Sequence, residues 1–319
     1  MKLNKLLTVL FIVGLFASFL FAAGTTSGDV LKAPMGGRAL GLGGAYTAAG
    51  NDVEAINYNP AGISLISRKE IQYMHWFGYA ELMVEHIAYA QPLETGFIEG
   101  NVGASVVYRH MAAINNEDAQ DAAVNYYDAV LTGVYAGKFS GFFQGEFYKN
   151  LNYAAAFKVI LESIGKFQGS TFAFDAGVLY YDPVSRVRLG AAAQNIGPPI
   201  KIIAEQDPLP LTFRAGVAYD FNLDKSNVLL LSADYMHDIY SMGRIAIGAE
   251  NIIIKTFSAR VGYEQPLDFK STPRLSAGIG LAVTQFEFTL EINYAYLSYL
   301  WNSLTAADST HVLSLKIKI

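Results

Sequence analysis

The sequence contains no cysteine and few charged residues. Without Cys, the 319-residue chain has no disulfide to hold it. Only 16% of its residues are Asp, Glu, Lys or Arg, against roughly 25% in soluble domains, although 52% are hydrophobic. The formal net charge is −5 and no basic run occurs, which gives no support to nucleic-acid binding. This balance, with 20 Tyr, 20 Phe and 29 Gly, indicates a chain that exposes apolar surface to something other than water.

A hydrophobic leader opens the chain. Lys2 and Lys5 precede the apolar run 6–21, and the small residues 22–24 offer a cleavage site. We therefore predict a secretory signal peptide over residues 1–23. An uncleaved membrane anchor is the alternative, because about 18 apolar residues are near the lower limit for a spanning helix. Since no Cys follows the run, a lipid-anchored lipoprotein is excluded.

Beyond residue 66, apolar and polar residues alternate in short segments. In residues 286–294, Phe, Leu, Ile and Tyr share one face, and Glu, Thr and Asn share the other. Such alternation predicts strands. The polar faces mix small residues with charges of both signs, which suits a lumen, and the other faces are almost free of charge, which suits lipid. We predict an all-β fold, a transmembrane antiparallel up-and-down β-barrel over residues 68–319. A soluble all-β fold with its charged face in water is the alternative.

The number of predicted strands is even, as in bacterial single-chain barrels. Long connections alternate with tight turns, except that 138–151 is too long for a turn, so we expect an extra element or a miscounted strand there. The last strand runs to Ile319, where it would seal against the first. The predicted strands are 69–78, 82–92, 98–112, 126–137, 152–163, 170–181, 185–195, 211–221, 227–237, 243–252, 256–265, 273–283, 285–299 and 309–319.

The polar faces of these strands supply candidate lumen residues. Four of them, Glu250, Arg260, Glu264 and Arg274, line a polar path or simply pack the lumen as charge pairs, and the sequence leaves both readings open. The five His residues lie in separate segments, and no Ser has a nucleophile-elbow setting, so we predict no metal site, no cofactor and no enzyme activity. The candidate lumen residues are Asp175, Arg188, Arg214, Asp234, Glu250, Arg260, Glu264, Arg274, Glu287 and Glu291.

The stretch GLGGAYTAAGNDVEAINYNPAGISL, residues 41–65, fits no phosphate-binding loop. It lacks the third glycine of the dinucleotide motif, and no Gly-Lys-Ser/Thr follows. It is too apolar for a mobile linker. Asp52 could cap a short helical turn over 53–58, which would end ahead of Asn59-Pro60. Because strand side chains alone cannot fill a 14-stranded barrel, we predict that residues 24–67 form a plug, or hatch, inside the lumen.

The same stretch carries a resemblance to a known family. The runs 41–48, 51–52 and 58–62 resemble the N-terminal segment of the PorV/PorQ family, which belongs with the FadL-like outer-membrane proteins. Segments 175–180, 194–197, 210–216, 248–250 and 260–263 continue the resemblance. It implies a 14-stranded barrel with a luminal hatch. The hatch or gate residues that it implies are Gly43, Gly44, Tyr46, Asp52, Asn59, Pro60, Ala61 and Gly62.

The resemblance implies two functions. One is passive uptake, in which a small hydrophobic or amphipathic solute passes the hatch. The other is a PorV-like carrier that holds secreted cargo, as in type IX secretion, with contacts in loops 113–125 and 196–210. A structural barrel without transport is a third reading. We expect the outer membrane of a diderm bacterium as the location. The expected partners are outer-membrane lipid, the solute or cargo protein, and the barrel-assembly machinery, but not nucleic acid.

Overall fold

The structure is a computed structural model that describes residues 26–33, 35–78, 82–95, 98–114, 124–202, 206–299 and 310–319. The predicted signal peptide, 1–23, lies outside the described residues. The chain forms a closed barrel of 14 antiparallel strands, which confirms the predicted fold class. Each barrel strand pairs with its neighbours in chain order, and a two-stranded sheet is set apart from the barrel.

The 14 barrel strands lie within three residues of the predicted bounds at every end. Two further strands of two residues each, β8 and β9, occupy the connection that follows β7. The strands are β1 (Glu70–Phe77), β2 (Leu82–Thr95), β3 (Ile98–Ile114), β4 (Val124–Lys138), β5 (Leu151–Ile164), β6 (Phe167–Asp182), β7 (Val187–Ile196), β8 (Ile200–Lys201), β9 (Gln206–Asp207), β10 (Thr212–Asn222), β11 (Asn227–Asp238), β12 (Arg244–Ile253), β13 (Phe257–Pro266), β14 (Arg274–Gln285), β15 (Phe288–Tyr299) and β16 (Thr310–Lys318).

The barrel closes where its first strand meets its last. β1 pairs with β16 from Glu70 opposite Lys318 to Phe77 opposite His311. Ile319 extends this contact, because its N–H donates to the Lys69 carbonyl at 2.9 Å and its carbonyl accepts from the Lys69 N–H at 3.1 Å. Closure removes the unpaired edge that an open sheet would expose.

Helices are few and short. A 3₁₀ helix spans Asp29–Lys32, an α-helix spans Gly37–Gly41, and two further 3₁₀ helices span Val53–Asn57 and Pro60–Leu65. The long β4–β5 connection holds an extra element, as expected, and it consists of two single turns, Phe139–Gly141 and Glu146–Lys149. None of the helices in the described residues has the length and apolar character needed to cross a membrane.

The two faces of the wall differ as the alternation predicts. In β5, for example, Ala154, Ala156 and Lys158 are buried, whereas Phe157 and Val159 are exposed. Large apolar side chains therefore lie on the outside of the barrel, where a soluble monomer would rarely expose a contiguous apolar surface. They include Ile71, Ile87, Val106, Leu131, Phe174, Val217, Ile247, Val261, Ile279 and Leu313.

The two ends of the barrel differ in their connections. We call the end that carries the β3–β4, β7–β10 and β15–β16 connections the long-loop end. The opposite end, which we call the short-turn end, carries the turns 183–186, 223–226, 254–256 and 286–287. The β4–β5 insert (residues 139–150) also lies at the short-turn end.

Candidate functional site

Residues 27–33 and 35–66, which we call the N-terminal segment, lie inside the barrel. At the long-loop end, Ser27 Oγ donates to the Asp207 carbonyl at 3.3 Å. Towards the short-turn end, the amide of Asn101 on β3 donates to the carbonyls of Ile63 and Ile66 at 2.7 Å each. The segment therefore runs along the whole lumen before the chain enters β1.

The local structure of the segment follows from its capping residues. The Asp52 side chain accepts the Glu54 N–H at 3.1 Å and caps Val53–Asn57, so the predicted helical turn is present as a 3₁₀ helix. Asn59 caps Pro60–Leu65 by accepting the Ala61 N–H at 3.2 Å. These caps satisfy N–H groups that would otherwise be buried without a partner.

Glycines let the segment approach the wall backbone to backbone. Gly43 has a φ of 68°, and a β-carbon on it would lie 2.8 Å from the backbone N of Tyr263. On the facing strand, a β-carbon on Gly262 would lie 2.0 Å from the Gly43 N. Further wall glycines that would meet the segment in the same way are Gly177, Gly190, Gly216, Gly248 and Gly278. Only residues without a side chain permit this separation.

Arg38 is the main ionic link between the segment and the barrel. Its guanidinium donates to the Glu250 carboxylate on β12 through Nε at 3.0 Å and through Nη2 at 2.7 Å. Its Nη1 contacts Asp52 at 3.2 Å. Glu250 is also paired with Arg260 Nε at 2.7 Å. The four side chains thus form one buried network with two charges of each sign.

A second ionic link joins Asp52 to the strands near the closure of the barrel. Lys316 Nζ on β16 lies 2.7 Å from the Asp52 carboxylate and 2.9 Å from that of Glu291. Glu70 on β1 accepts the Val53 N–H at 3.0 Å. The segment is therefore fixed at the seam where β1, β15 and β16 meet.

The two acidic side chains of the segment differ in pKa. Burial alone would raise the pKa of Asp52, but the charges of Lys316 and Arg38 outweigh it and hold that pKa well below its ordinary value. For Glu54, burial and then the nearby Asp52 carboxylate raise the pKa to about 7. Glu54 accepts hydrogen bonds from the Ala39 N–H at 2.9 Å and from the Gln72 amide at 3.0 Å.

Hydrogen bonds that involve backbone groups complete the attachment. The Asp234 carboxylate on β11 accepts the N–H groups of Tyr46 at 2.9 Å and of Thr47 at 2.7 Å. The Asn59 amide donates to the carbonyls of Thr47 and Val178, both at 3.0 Å. Asn59 thus ties the two halves of the segment to each other and to β6.

A cavity of about 70 Å³ remains in the lumen, on the side of the long-loop end. Since one water needs about 10–15 Å³, it holds a few waters and no larger solute. Both apolar and charged side chains line it. The lining residues are Val30, Leu31, Lys32, Ala33, Met35, Gly44, Asn57, Tyr58, Val107, Val130, Thr132, Lys158, Gln194, Arg214, Asp234, Met236, Arg244, Ala246, Glu264 and Arg274.

Arg214 stands out among the cations of this cavity. Its Nε donates to the Gln194 side-chain oxygen at 2.7 Å, and its guanidinium lies 5.2 Å from the centre of the Tyr58 ring. No carboxylate among the described residues forms an ion pair with it, whereas Lys158 pairs with Asp175 at 2.7 Å. The cavity therefore contains a guanidinium with no carboxylate in ion-pair contact, although Asp234 and Glu264 line the same cavity.

The structure places nine of the ten candidate lumen residues on the inner face of the wall, in ion pairs or hydrogen bonds. Arg188 donates to the Ala49 carbonyl and pairs with Asp220, while Glu264 pairs with Arg274 at 2.8 Å. The prediction for Glu287 was wrong. Glu287 is exposed in the turn between β14 and β15, because the alternation continues across two residues that form the hairpin turn.

The implied hatch residues come together inside the lumen. Tyr46, Asn59, Pro60, Ala61 and Gly62 are all buried, as are Gly43, Gly44 and Asp52. The sequence reasoning missed Arg38, Glu54 and Lys316, which carry much of the attachment. Their signal was available, since Arg38, Asp52 and Glu54 are the only charged residues between positions 35 and 66 of an otherwise apolar segment.

Comparison with solved structures shows the same architecture elsewhere. The CymD monoaromatic hydrocarbon channel superposes with a TM-score of 0.59 at 12% identity, over 89% of this chain and 96% of that one. For the Ralstonia pickettii toluene transporter TbuX, the TM-score is 0.58 at 13% identity, over 89% and 97%. A Pseudomonas aeruginosa FadL homologue gives 0.53 at 11% identity, over 89% and 98%. The fold is FadL-like.

Sequence comparisons are less specific. Residues 22–141 match the model of an uncharacterised protein family (UPF0164). No curated protein matches the chain. Because the structural neighbours are only 9–13% identical to this chain, they show the architecture of the barrel and do not identify a solute. The solute must be inferred from the residues of this chain.

Proposed function

We propose that this protein is an outer-membrane barrel that binds and passes a small amphipathic solute with an acidic end, and that the N-terminal segment acts as the hatch. The apolar outer wall supports a location in lipid, since Arg or Lys there would cost roughly 2–4 kcal/mol at the bilayer midplane. The structural neighbours named for hydrocarbon or toluene transport have the same fold. The PorV/PorQ resemblance supports an exported protein of a diderm bacterium.

The single observation that carries the proposal is the cavity around Arg214. Val30, Val107 and Val130 give it an apolar side, and the unpaired guanidinium gives it a cationic one. A buried cation that has no carboxylate in ion-pair contact is costly to desolvate, and an anionic ligand would relieve that cost. A neutral hydrocarbon would not relieve the cost of burying this charge. An amphipathic acid, with its tail against the valines and its carboxylate on Arg214, matches this lining.

Passage requires the N-terminal segment to move. The cavity of about 70 Å³ is too small for such a solute, and residues 36–66 fill the lumen beyond it. The part that lines the cavity, residues 30–33 with Met35, would shift to admit the solute. Release towards the short-turn end then requires a rearrangement of residues 36–66.

Binding by the purified protein in detergent tests the cavity. Decanoate should bind more tightly than decan-1-ol, which has the same chain without the charge. Arg214→Gln should abolish that preference, whereas Arg186→Gln, in a turn outside the lumen, should leave it unchanged. Equal binding of the two probes to the unaltered protein would contradict an acidic solute.

Conductance across a planar bilayer tests the hatch. Deletion of residues 28–66 should open a steady current that the full chain does not show. Because the deletion removes many contacts, the folding of the deletion variant must be checked. Heat-modifiable mobility of this variant on a gel would show that the barrel has formed. A folded deletion variant that passes no current would show that the N-terminal segment does not close the lumen.

A carrier of secreted cargo is the second candidate, and one observation favours it. Phe174 on β6 pairs with the last residue of β7, so residues 167–173 extend past β7 at the long-loop end. There the chain after β7 packs against them, with Thr171 Oγ1 donating to the Pro198 carbonyl at 3.0 Å. This raised wall offers a platform for a bound protein. A pull-down of surface-labelled protein that recovers exported proteins, and no lipid-like ligand, would favour the carrier.

A further inference from the structure

A recess lies at the long-loop end of the barrel, next to the cavity that contains Arg214. It has a volume of about 850 Å³ and is bordered by the long-loop ends of β1, β11, β12, β13 and β14. The longer connections of outer-membrane barrels face the outside of the cell. The recess is therefore on the side from which a solute would arrive.

A group of charged side chains borders both spaces. One of them, Lys32, belongs to the N-terminal segment, and the other three lie near the long-loop ends of β12, β13 and β14. The recess and the cavity are therefore neighbours that this group separates, and we call the group the divider. The divider consists of Lys32, Arg244, Glu264 and Arg274.

The ion pairs of the divider leave it with an excess of positive charge. Glu264 lies 2.8 Å from Arg274 and 3.7 Å from Arg244, so one carboxylate serves two guanidinium groups. Arg274 Nε is buried and makes no hydrogen bond within the described residues. Arg244 is the more exposed of the two arginines, at 29% against 9%. A solute carboxylate that arrives from the recess would therefore meet Arg244 first.

The charge of the lining changes from the recess to the cavity. Among the described residues, three cations and three carboxylates line the recess, whereas five cations and two carboxylates line the cavity. Lys158 can be set aside, because Asp175 pairs with it, and the cavity still has two more cations than carboxylates. An excess of one charge sign in a cleft attracts a ligand of the opposite sign. The carboxylates are Asp238, Glu264 and Asp268 in the recess, and Asp234 and Glu264 in the cavity.

Another side of the barrel mouth is covered by the β7–β10 connection. Leu209 is buried in one cluster with Val30, and Ser27 Oγ donates to the Asp207 carbonyl at 3.3 Å. A β-carbon on Gly28 would lie 3.4 Å from the Leu209 side chain. Entry on that side would require the connection to move, whereas the recess already borders the cavity.

We propose that the recess is the entrance for the solute and that Arg244 guides its acidic end past Glu264 towards Arg214. The inference rests on the proposed function, because it requires an acidic solute. Arg244 and Arg274 would each exchange Glu264 for the solute carboxylate in turn, so the anion would not be buried without a cationic partner. Arg244 is thus a positioning residue for entry, whereas Arg214 holds the bound solute.

Association kinetics test the role of Arg244. Stopped-flow mixing with decanoate, read from the fluorescence of the protein, gives the association rate. Arg244→Gln should slow decanoate association about ten-fold and leave that of decan-1-ol unchanged. The matched control is Lys270→Gln, which removes an exposed cation from the β13–β14 connection, outside the lining of the recess. An equal effect of the two variants would show that Arg244 acts through the overall charge of the mouth and does not guide the solute.

A chemical block tests the route independently of charge. The chain has no Cys, so Ser241→Cys in the recess and Lys166→Cys in the β5–β6 turn can each carry a bulky thiol label. The label at 241 should slow the association and the dissociation of decanoate by the same factor. It should leave Kd unchanged, because a route affects rates and not the equilibrium. The label at 166, at the same end of the barrel, should change neither rate.

The outcomes separate the entrance from the proposed function. If the label at 241 leaves both rates unchanged while decanoate still binds more tightly than decan-1-ol, the solute enters elsewhere and the cavity around Arg214 stands. A changed Kd without slower exchange would make the recess a second binding site and would also contradict its role as the entrance. If the unaltered protein does not prefer decanoate, the proposed function fails and the entrance fails with it.

Discussion

The first and last parts of the N-terminal segment are held in different ways. Residues 36–66 are almost entirely buried and are fixed by ion pairs and hydrogen bonds to the wall. Residues 27–33 are partly exposed and pack through apolar side chains such as Val30, which shares a cluster with Leu209. They also hold a Gly28 N–H bond to Glu162 and an exposed Lys32–Asp29 pair at 3.3 Å. The difference indicates which part of the N-terminal segment can move first to open the lumen. The apolar part can slide, because its contacts have little directional requirement, whereas the charged part must exchange buried partners.

The largest effect on this contrast should come from Arg38→Met. The change removes one cationic partner from Glu250, which keeps Arg260, and one from Asp52, which keeps Lys316. We therefore expect a loss of unfolding free energy near the lower end of the roughly 3–5 kcal/mol of a fully broken buried pair. Urea unfolding in detergent micelles measures the loss. Arg186→Met, in an exposed turn, serves as the control. A loss below 1 kcal/mol, by the scale of exposed ion pairs, would mean that the network does not hold the segment.

Gly262→Ala should come next. Its new β-carbon would meet the backbone of Gly43 at 2.0 Å, so the segment or β13 must shift, at an expected cost of about 3 kcal/mol. The matched control is Gly133→Ala on β4, where a β-carbon meets nothing within 4 Å. Unfolding midpoints of the two variants should therefore differ clearly. Equal midpoints would argue against close contact between the segment and the wall.

The pH dependence of stability should expose Glu54. Because burial raises its folded pKa to about 7, the folded state holds a proton that the unfolded chain releases near pH 4.5. Its contribution is complete below the unfolded pKa and is lost as the pH rises from there through the folded pKa, on the order of 2–3 kcal/mol between pH 5 and pH 8. Glu54→Gln should flatten this part of the profile. Glu287→Gln, in an exposed turn, should retain it.

The smallest effect should come from Lys32→Gln in the first part of the segment. Lys32 is about one-third exposed, pairs with the exposed Asp29 and lies 3.9 Å from the buried Asp238, at the outer limit of an ion pair. The unfolding free energy should therefore change by less than about 1 kcal/mol. Decanoate affinity should nevertheless fall, because Lys32 lines the cavity. A stability loss as large as that of Arg38→Met would remove the distinction between the two parts.

The strands were predictable because lipid on one side and a lumen on the other impose the same two-residue period on every strand. The capping roles of Asp52 and Asn59 were also predictable from the sequence, since a cap depends on the residues that directly follow it. The failure at Glu287 has a physical cause: the alternation of 286–294 does not show where a strand reverses. Pairings such as Arg38 with Glu250, 212 positions apart, depend on how the closed barrel faces the segment.

The sequence by itself determined that this chain forms a barrel with an apolar exterior, because alternation is a local property that each strand carries alone. Tertiary structure decided what fills the lumen and how firmly it is held. Barrel closure sets which inward charges meet the N-terminal segment, and burial then makes each ion pair strong and each unpaired charge costly. Those energies arise only when residues far apart in sequence share one water-poor interior.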